Sequence, residues 1–197
     1  MTDFGVRLAS ADDLDALSSL VARANASYHE WAGPRWEPPG PAHERSRWGE
    51  RFDDPVAWNL VAVSNSVLLG CTSLTDARTE EGRGREIPGL GHLSRMFVDP
   101  EHWGRGIGSA LLSRAVDEMR LRRYESAQLF TPTGNARARQ FYEQRGWRLD
   151  EETRDWQGLL LVRYTLDLRA ASPGPGTITF GDRLARGERR ASPSSFA

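Results

Sequence analysis

Between Phe4 and Ala9 apolar and polar residues alternate, and from Leu14 onward the apolar positions shift to helical spacing at Leu17, Leu20 and Val21. The first pattern predicts a strand, the second a helix with one apolar face to lay on a sheet. Ser10 with Asp13 three residues later forms a capping box, Asp standing in for the usual Glu, and starts that helix. Regularity is then lost. From Tyr28 to Phe52, Trp31, Trp36 and Trp48 are interleaved with prolines and with His29, Glu30, Glu37, His43 and Glu44. The prolines break any helix between Gly33 and Pro41, and a second helix fits from Ala42 to Phe52. These aromatics either line a pocket or pack a loop onto the core, since both uses favour large rings.

Trp58 to Ser64 and Val67 to Thr75 read as two strands joined at Asn65-Ser66. The polar, glycine-containing stretch from Asp76 to Gly91 reads as a mobile loop. An apolar strand then ends at Asp99-Pro100, and Ile107, Leu111, Leu112, Ala115, Val116 and Met119 mark the buried face of the helix that follows. Ala127 to Phe130 is a short strand. Asn135 caps a helix that runs to Arg145 and is stopped by Gly146. Asn135 and Tyr142, seven residues apart, project from roughly one face of that helix, about 10 Å apart along its axis, with Phe141 turned more toward the core. Leu159 to Leu168 makes the last strand, preceded by a turn at Gln157-Gly158. Beyond Arg169 the Pro, Gly, Ser and Arg content indicates a weakly ordered tail, with one further edge strand available at Thr177 to Phe180.

Composition narrows the setting. A chain of 197 residues suits one well-buried domain, and a hydrophobic fraction of 39% is that of a globular protein. A formal net charge of -1 gives no general attraction to nucleic acid or to an anionic membrane. The N-terminal segment carries Asp3, Asp12, Asp13 and Asp15 and does not read as a signal peptide, and no run of 18 apolar residues could span a bilayer. The single cysteine, Cys71, excludes an internal disulfide and reads as a buried, inert thiol. A cytoplasmic location is expected.

The stretch from Leu93 to Leu112 carries the most chemistry. Gly104, Gly106 and Gly108 clear a turn of side chains between a strand and a helix, so that an anion can reach backbone amides at the positive end of the helix dipole. Arg105 adds a full charge. A dinucleotide fingerprint fits poorly because its third glycine slot is Ser109. A Walker loop is excluded, because all 26 basic residues are arginine and the required lysine is absent. A plain strand-to-helix turn and a pyrophosphate cradle remain.

The strand ending Val98-Asp99-Pro100, the turn Arg105-Gly106-Ile107-Gly108 and the Leu111-Leu112 helix resemble motif A of the GNAT superfamily of acyl-CoA-dependent N-acyltransferases. The family pattern is Gln/Arg-x-x-Gly-x-Gly/Ala. Here Trp103 fills its first slot, which removes one polar contact and leaves the amide contacts in place. The run from Asn135 to Glu143, followed by Gly146-Trp147, is similar to motif B of the same superfamily. The resemblance spans about Val6 to Leu168, so residues 1–168 are expected to form the domain and 169–197 the tail.

The resemblance implies an α/β fold with a mixed, mostly antiparallel sheet, splayed at the cofactor site and covered by helices on both faces. It implies acetyl-CoA as co-substrate, no metal, and an amine acceptor that is a small molecule or a peptide. Cofactor contacts are expected from Met96, Phe97, Val98, Arg105, Gly106, Ile107, Gly108, Ser109 and Asn135. Tyr142 is the expected general acid toward the thiolate, since a phenol of pKa about 10 is protonated at neutral pH. A backbone amide near Phe97 or Val98 is the expected oxyanion donor. His92 is the candidate base, with Ser94 holding a water and Glu30 and Glu37 as rivals. The competing classes are a noncatalytic acyl-CoA-binding module and a scaffold without a nucleotide site; a homodimer is left open.

Overall fold

The computed structural model describes residues 3–33 and 35–169. The tail and the extra edge strand expected at Thr177 to Phe180 lie outside the described residues. Seven strands form one sheet in the order β1-β2-β3-β4-β5-β7-β6, with β1 at Gly5–Leu8, β2 at Trp58–Ser64, β3 at Val67–Arg78, β4 at Glu86–Val98, β5 at Ser126–Pro132, β6 at Arg148–Trp156 and β7 at Leu159–Asp167. Every neighbouring pair is antiparallel except β4 and β5, which run parallel. The helices are α1 (Leu14–Ala26), α2 (His29–Ala32), α3 (Pro41–Asp53), α4 (Thr79–Gly82), α5 (Ile107–Leu121) and α6 (Ala136–Glu143).

Strand alternation explains how one sheet serves two helical layers. On β2, Val61 packs with Leu17, Leu20 and Val21 of α1 and Trp48 of α3, whereas its neighbours Leu60 and Ala62 pack with Ile107 and Leu111 of α5. Further along that second face, Leu112, Ala115 and Met119 meet Leu93 of β4, Leu129 of β5 and Tyr142 of α6. Cys71 lies under α1, where burial pushes its thiol up to about 12, so it is inert at neutral pH.

Local signals give the expected structure where their partners are near in sequence. The Ser10 amide bonds the Asp13 carboxylate at 2.8 Å, closing the capping box, and Arg7 holds the same carboxylate through two contacts of 2.7 Å. Asn65 and Ser66 adopt φ of 46° and 65°, the paired left-handed conformation of a tight hairpin turn.

Two expectations are corrected. The stretch from Asp76 to Gly91 is mostly ordered strand: β3 continues to Arg78, the single turn α4 follows, and β4 begins at Glu86, opposite Arg78. Its polarity reflects exposure, while backbone pairing and a hydrogen bond from the Tyr124 hydroxyl to Asp76 hold it in place. The second concerns β6, for which the residue pattern predicted no strand. It is an edge strand paired with β7 along the backbone and tied to it by ion pairs: Arg163 pairs with Asp150 at 2.9 Å and with Glu152. Apolar periodicity cannot reveal such a strand.

Candidate active site

The parallel pair β4–β5 is in register only from Leu90↔Ser126 to Leu93↔Leu129. Beyond that point β5 stays with β7 as far as Pro132↔Leu161, while β4 stays with β3 as far as Val98↔Gly70, so the sheet splits. A register shift sets the split: Ser73 faces Arg95 but the next residue, Leu74, faces Leu93, which leaves Ser94 as an extra residue in β4. Its hydroxyl donates to the Ser73 carbonyl at 3.2 Å, so Ser94 is committed to the bulge.

The splayed edge exposes backbone groups. The Asp99 amide donates to the Leu69 carbonyl at 2.9 Å, so alternation turns Val98, and likewise Met96, away from β3 toward the opening, whereas Phe97 faces β3. The Val98 carbonyl is taken by the Trp103 indole N–H at 3.0 Å. The Val98 amide is left facing the gap.

A cavity of about 750 Å³ occupies this split. Met96, Phe97 and Val98 line it from β4; Gly106, Ile107, Gly108 and Ser109 from the start of α5; Asn135 and Tyr142 from α6. The first backbone hydrogen bond of α5 runs from Ala110 to Gly106 at 3.0 Å, so the amides of Ile107, Gly108 and Ser109 have no partner within the helix. Gly104 and Gly106 have φ of 78° and 82°, and a Cβ on either would meet nothing within 4 Å. Glycine is needed there for backbone conformation more than for space.

Two of the expected residues lie elsewhere. Arg105 is exposed and lines a second hollow beside Asn65 and Asp3, so its side chain does not enter the larger cavity. His92 also lies off the cavity lining. Its ring packs edge-on against Phe130 at 6.1 Å, its Nδ1 is buried without a partner, and burial, helped by Arg51 and Arg154, lowers its pKa to about 4.

On α6 the orientation also differs from expectation. Tyr142 is the more buried of the adjacent pair, packed near Trp147 and Tyr164 and still part of the cavity lining, while Phe141 is half-buried against Gly108. Burial raises the Tyr142 pKa, so the phenol stays protonated at neutral pH. Asn135 accepts from the Ala138 amide at 3.0 Å as the helix cap. Burial and the Glu44 carboxylate push the Tyr28 phenol up to about 12.

The aromatic segment divides its roles. Tyr28 and Trp31, with ring centroids 4.7 Å apart, line the cavity together with Glu30. Trp36 stacks on Tyr28 at 5.7 Å and donates to the Gln157 carbonyl at 3.3 Å, which ties the segment to the β6–β7 turn. Trp48 is core. Below Tyr28, Glu44 and Arg95 form a buried ion pair at 2.7 Å, with Arg95 over the Trp48 ring. Glu37 is exposed and does not reach the cavity lining.

Sequence reasoning missed Tyr28, Trp103 as a structural part, and two arginines on the cavity wall, Arg137 and Arg145. Arg137 and Arg145 have no acidic residue three or four positions away, which leaves each without a helical ion-pair partner and is a usable signal. Among the described residues no helix is long and apolar enough to cross a membrane, and no group of three metal-ligating side chains is assembled.

Known proteins resemble the chain in sequence and in fold. The chain is 35% identical over 132 residues to a mycothiol acetyltransferase of Beutenbergia cavernae, covering 66% of this chain and 39% of that protein. It is 31% identical over 155 residues to an uncharacterized N-acetyltransferase of Methanocaldococcus jannaschii, covering 78% and 64%. The chain thus spans less than two thirds of the length of either relative. Its fold matches the ribosomal-protein-S18-alanine N-acetyltransferase of Escherichia coli with a TM-score of 0.64 at 18% identity, covering 87% of this chain and 97% of that one. It also matches a Salmonella typhimurium protein solved with acetyl-CoA as its cofactor, with a TM-score of 0.63 at 21% identity, covering 87% and 99%. The family model for GNAT acetyltransferases matches residues 25–147, a span that contains the split sheet, the α5 cradle and α6. With sequence and fold in agreement, the chain belongs to the GNAT acetyltransferase family.

Proposed function

We propose that the protein is an N-acetyltransferase that moves the acetyl group of acetyl-CoA to an amine acceptor by direct attack on the thioester. The observation that carries this reading is the convergence, in one cavity, of the unpaired amides of Ile107, Gly108 and Ser109, the Val98 strand edge and the Tyr142 phenol. The amides suit the pyrophosphate of the co-substrate. Asn135, already fixed as a cap, lines the same cavity.

The neutral amine attacks the thioester carbon, a C–N bond forms, and negative charge develops on the carbonyl oxygen. The Val98 amide is the donor for that oxyanion, because it faces the gap on a strand anchored to β3. As the C–S bond breaks, Tyr142 delivers its proton to the departing sulfur, and the phenolate recovers a proton from solvent. The acceptor nitrogen must also lose a proton. His92 is neutral at physiological pH and off the cavity lining, so it serves only through water; Glu30 lies on the lining itself. The buried Cys71 takes no part, which favours transfer without a covalent enzyme intermediate.

The acceptor side is walled by Tyr28 and Trp31, with Glu30 beside them. The relatives' names include mycothiol and a ribosomal-protein alanine, so small-molecule and peptide amines are both to be tested. Thiol release from acetyl-CoA is measured over such a panel. At least one amine should support turnover, and Tyr142→Phe should lower its rate about a hundred- to ten-thousand-fold. Binding of CoA without turnover on any amine would leave an acyl-CoA-binding module instead. CoA at a hundred times its dissociation constant should stabilise the fold by about 2.7 kcal/mol, and an unmoved melting curve would remove the nucleotide site altogether.

A further inference from the structure

Arg137, in the first turn of α6, is a cation that no described charged group answers. Among the described residues no carboxylate and no hydrogen-bond acceptor holds it; its one specific neighbour is the Trp103 ring, with the guanidinium carbon 4.0 Å from the ring centre. Trp103 is itself fixed. Its indole N–H donates to the Val98 carbonyl at 3.0 Å, which pins the ring at the mouth of the turn containing Gly104 and Gly106. Both side chains line the same cavity as the unpaired amides of α5. A guanidinium stacked on a ring has its plane fixed while its in-plane N–H groups stay available.

Arg145, at the other end of α6, shows how differently a committed arginine looks. It donates to the Phe141 carbonyl at 2.8 Å and to the Ser109 hydroxyl at 2.7 Å while stacking on Phe141. Of the two described arginines that line the cavity, it is Arg137 that keeps its donors free. Arg105, the charge within the turn, lines the other hollow. The cavity therefore takes its unspent arginine charge from α6, and not from the turn.

We propose that Arg137 is a phosphate-contacting residue of the co-substrate site and that Trp103 is its positioning residue. The indole occupies the motif slot that a polar side chain would fill, and the cation it carries on its face replaces that polar contact. The proposal rests on the acetyl-CoA reading given above. It is specific to phosphate, and the phosphate is either the diphosphate or the 3′-phosphate of CoA.

Dissociation constants are measured by calorimetry for CoA, dephospho-CoA and desulfo-pantetheine, the last as a phosphate-free probe. Arg137→Gln should weaken CoA about tenfold or more, the effect of losing a charge-assisted hydrogen bond, while changing the phosphate-free probe less than about twofold. If dephospho-CoA weakens equally, the contact is to the diphosphate; if it does not, the contact is to the 3′-phosphate. Arg137→Lys should recover part of the loss. The Arg137→Gln effect should shrink in a Trp103→Gln background, because the unstacked guanidinium is no longer aimed. Unchanged CoA binding by Arg137→Gln, or equal loss for CoA and the phosphate-free probe, overturns the proposal and leaves the acetyltransferase reading intact. Failure of the wild type to bind CoA overturns that reading itself.

Discussion

Gly106 illustrates how a single backbone angle shapes the site. It is the N-cap of α5 with φ of 82°, and open space surrounds the position of a Cβ. Gly106→Ala therefore meets no clash, but it places an L side chain in the left-handed region, at a cost of about 1–2 kcal/mol. Chemical denaturation should show that loss, and calorimetry should show weaker CoA binding as the turn relaxes away from its strained form. Asp13 is a residue-scale case of a different kind. The hydrogen bonds from Arg7 hold its pKa down at about 2, against an ordinary value near 3.9. Because the folded pKa is depressed, the contribution of Asp13 is complete above about pH 4 and is lost as pH falls toward 2. Comparing wild type with Asp13→Asn in urea should show a stability gap at pH 6 that closes by about pH 2. A gap that stays constant would mean that packing, not charge, makes the difference.

Elements whose signals are local were legible from residue patterns. The Ser10–Asp13 box, the Asn135 cap and the Asn65-Ser66 turn each need partners only a few residues away, and each occurs as read. The turn also offers room for improvement. Ser66 holds φ of 65°, which glycine adopts without side-chain strain, so Ser66→Gly should raise stability by about 0.5–1 kcal/mol in a thermal melt. Elements whose signals are distant were not legible. The inner contacts of β6 are made by Asp150 and Glu152 to Arg163 on the next strand, and charge pairs leave no apolar period to detect. The outer halves of β3 and β4 were hidden in the same way, by polar residues on an exposed extension.

At the scale of the molecule, the sheet and the cradle are joined through Gly70. A Cβ there would come within 2.9 Å of the Phe97 carbonyl, 3.0 Å of Ile107 and 3.1 Å of Leu111. The strand β3 thus lies against β4 and against the first turns of α5 at once, and overpacking at this point has no soft direction to relax into. Gly70→Ala should cost about 1–3 kcal/mol and should weaken CoA binding along with stability, because Ile107 opens the helix that supplies the amides. If stability falls while CoA affinity is unchanged, the cradle is less tightly coupled to the sheet than this packing implies.

Residue patterns alone determined the elements of local origin, the glycine turn ahead of α5, the capped α6 bearing Tyr142, and through these motifs the family. Which atoms meet in the cavity was decided only by the tertiary structure. The bulge at Ser94 parts β4 from β5, strand alternation turns Val98 outward, and the same packing leaves His92 and Arg105 off the lining while bringing in Tyr28, Trp103 and Arg137. The physical reason is range. A cap or a tight turn is set within a few residues, whereas the direction in which a side chain points into a shared space depends on strand register and on helices packed from distant parts of the chain.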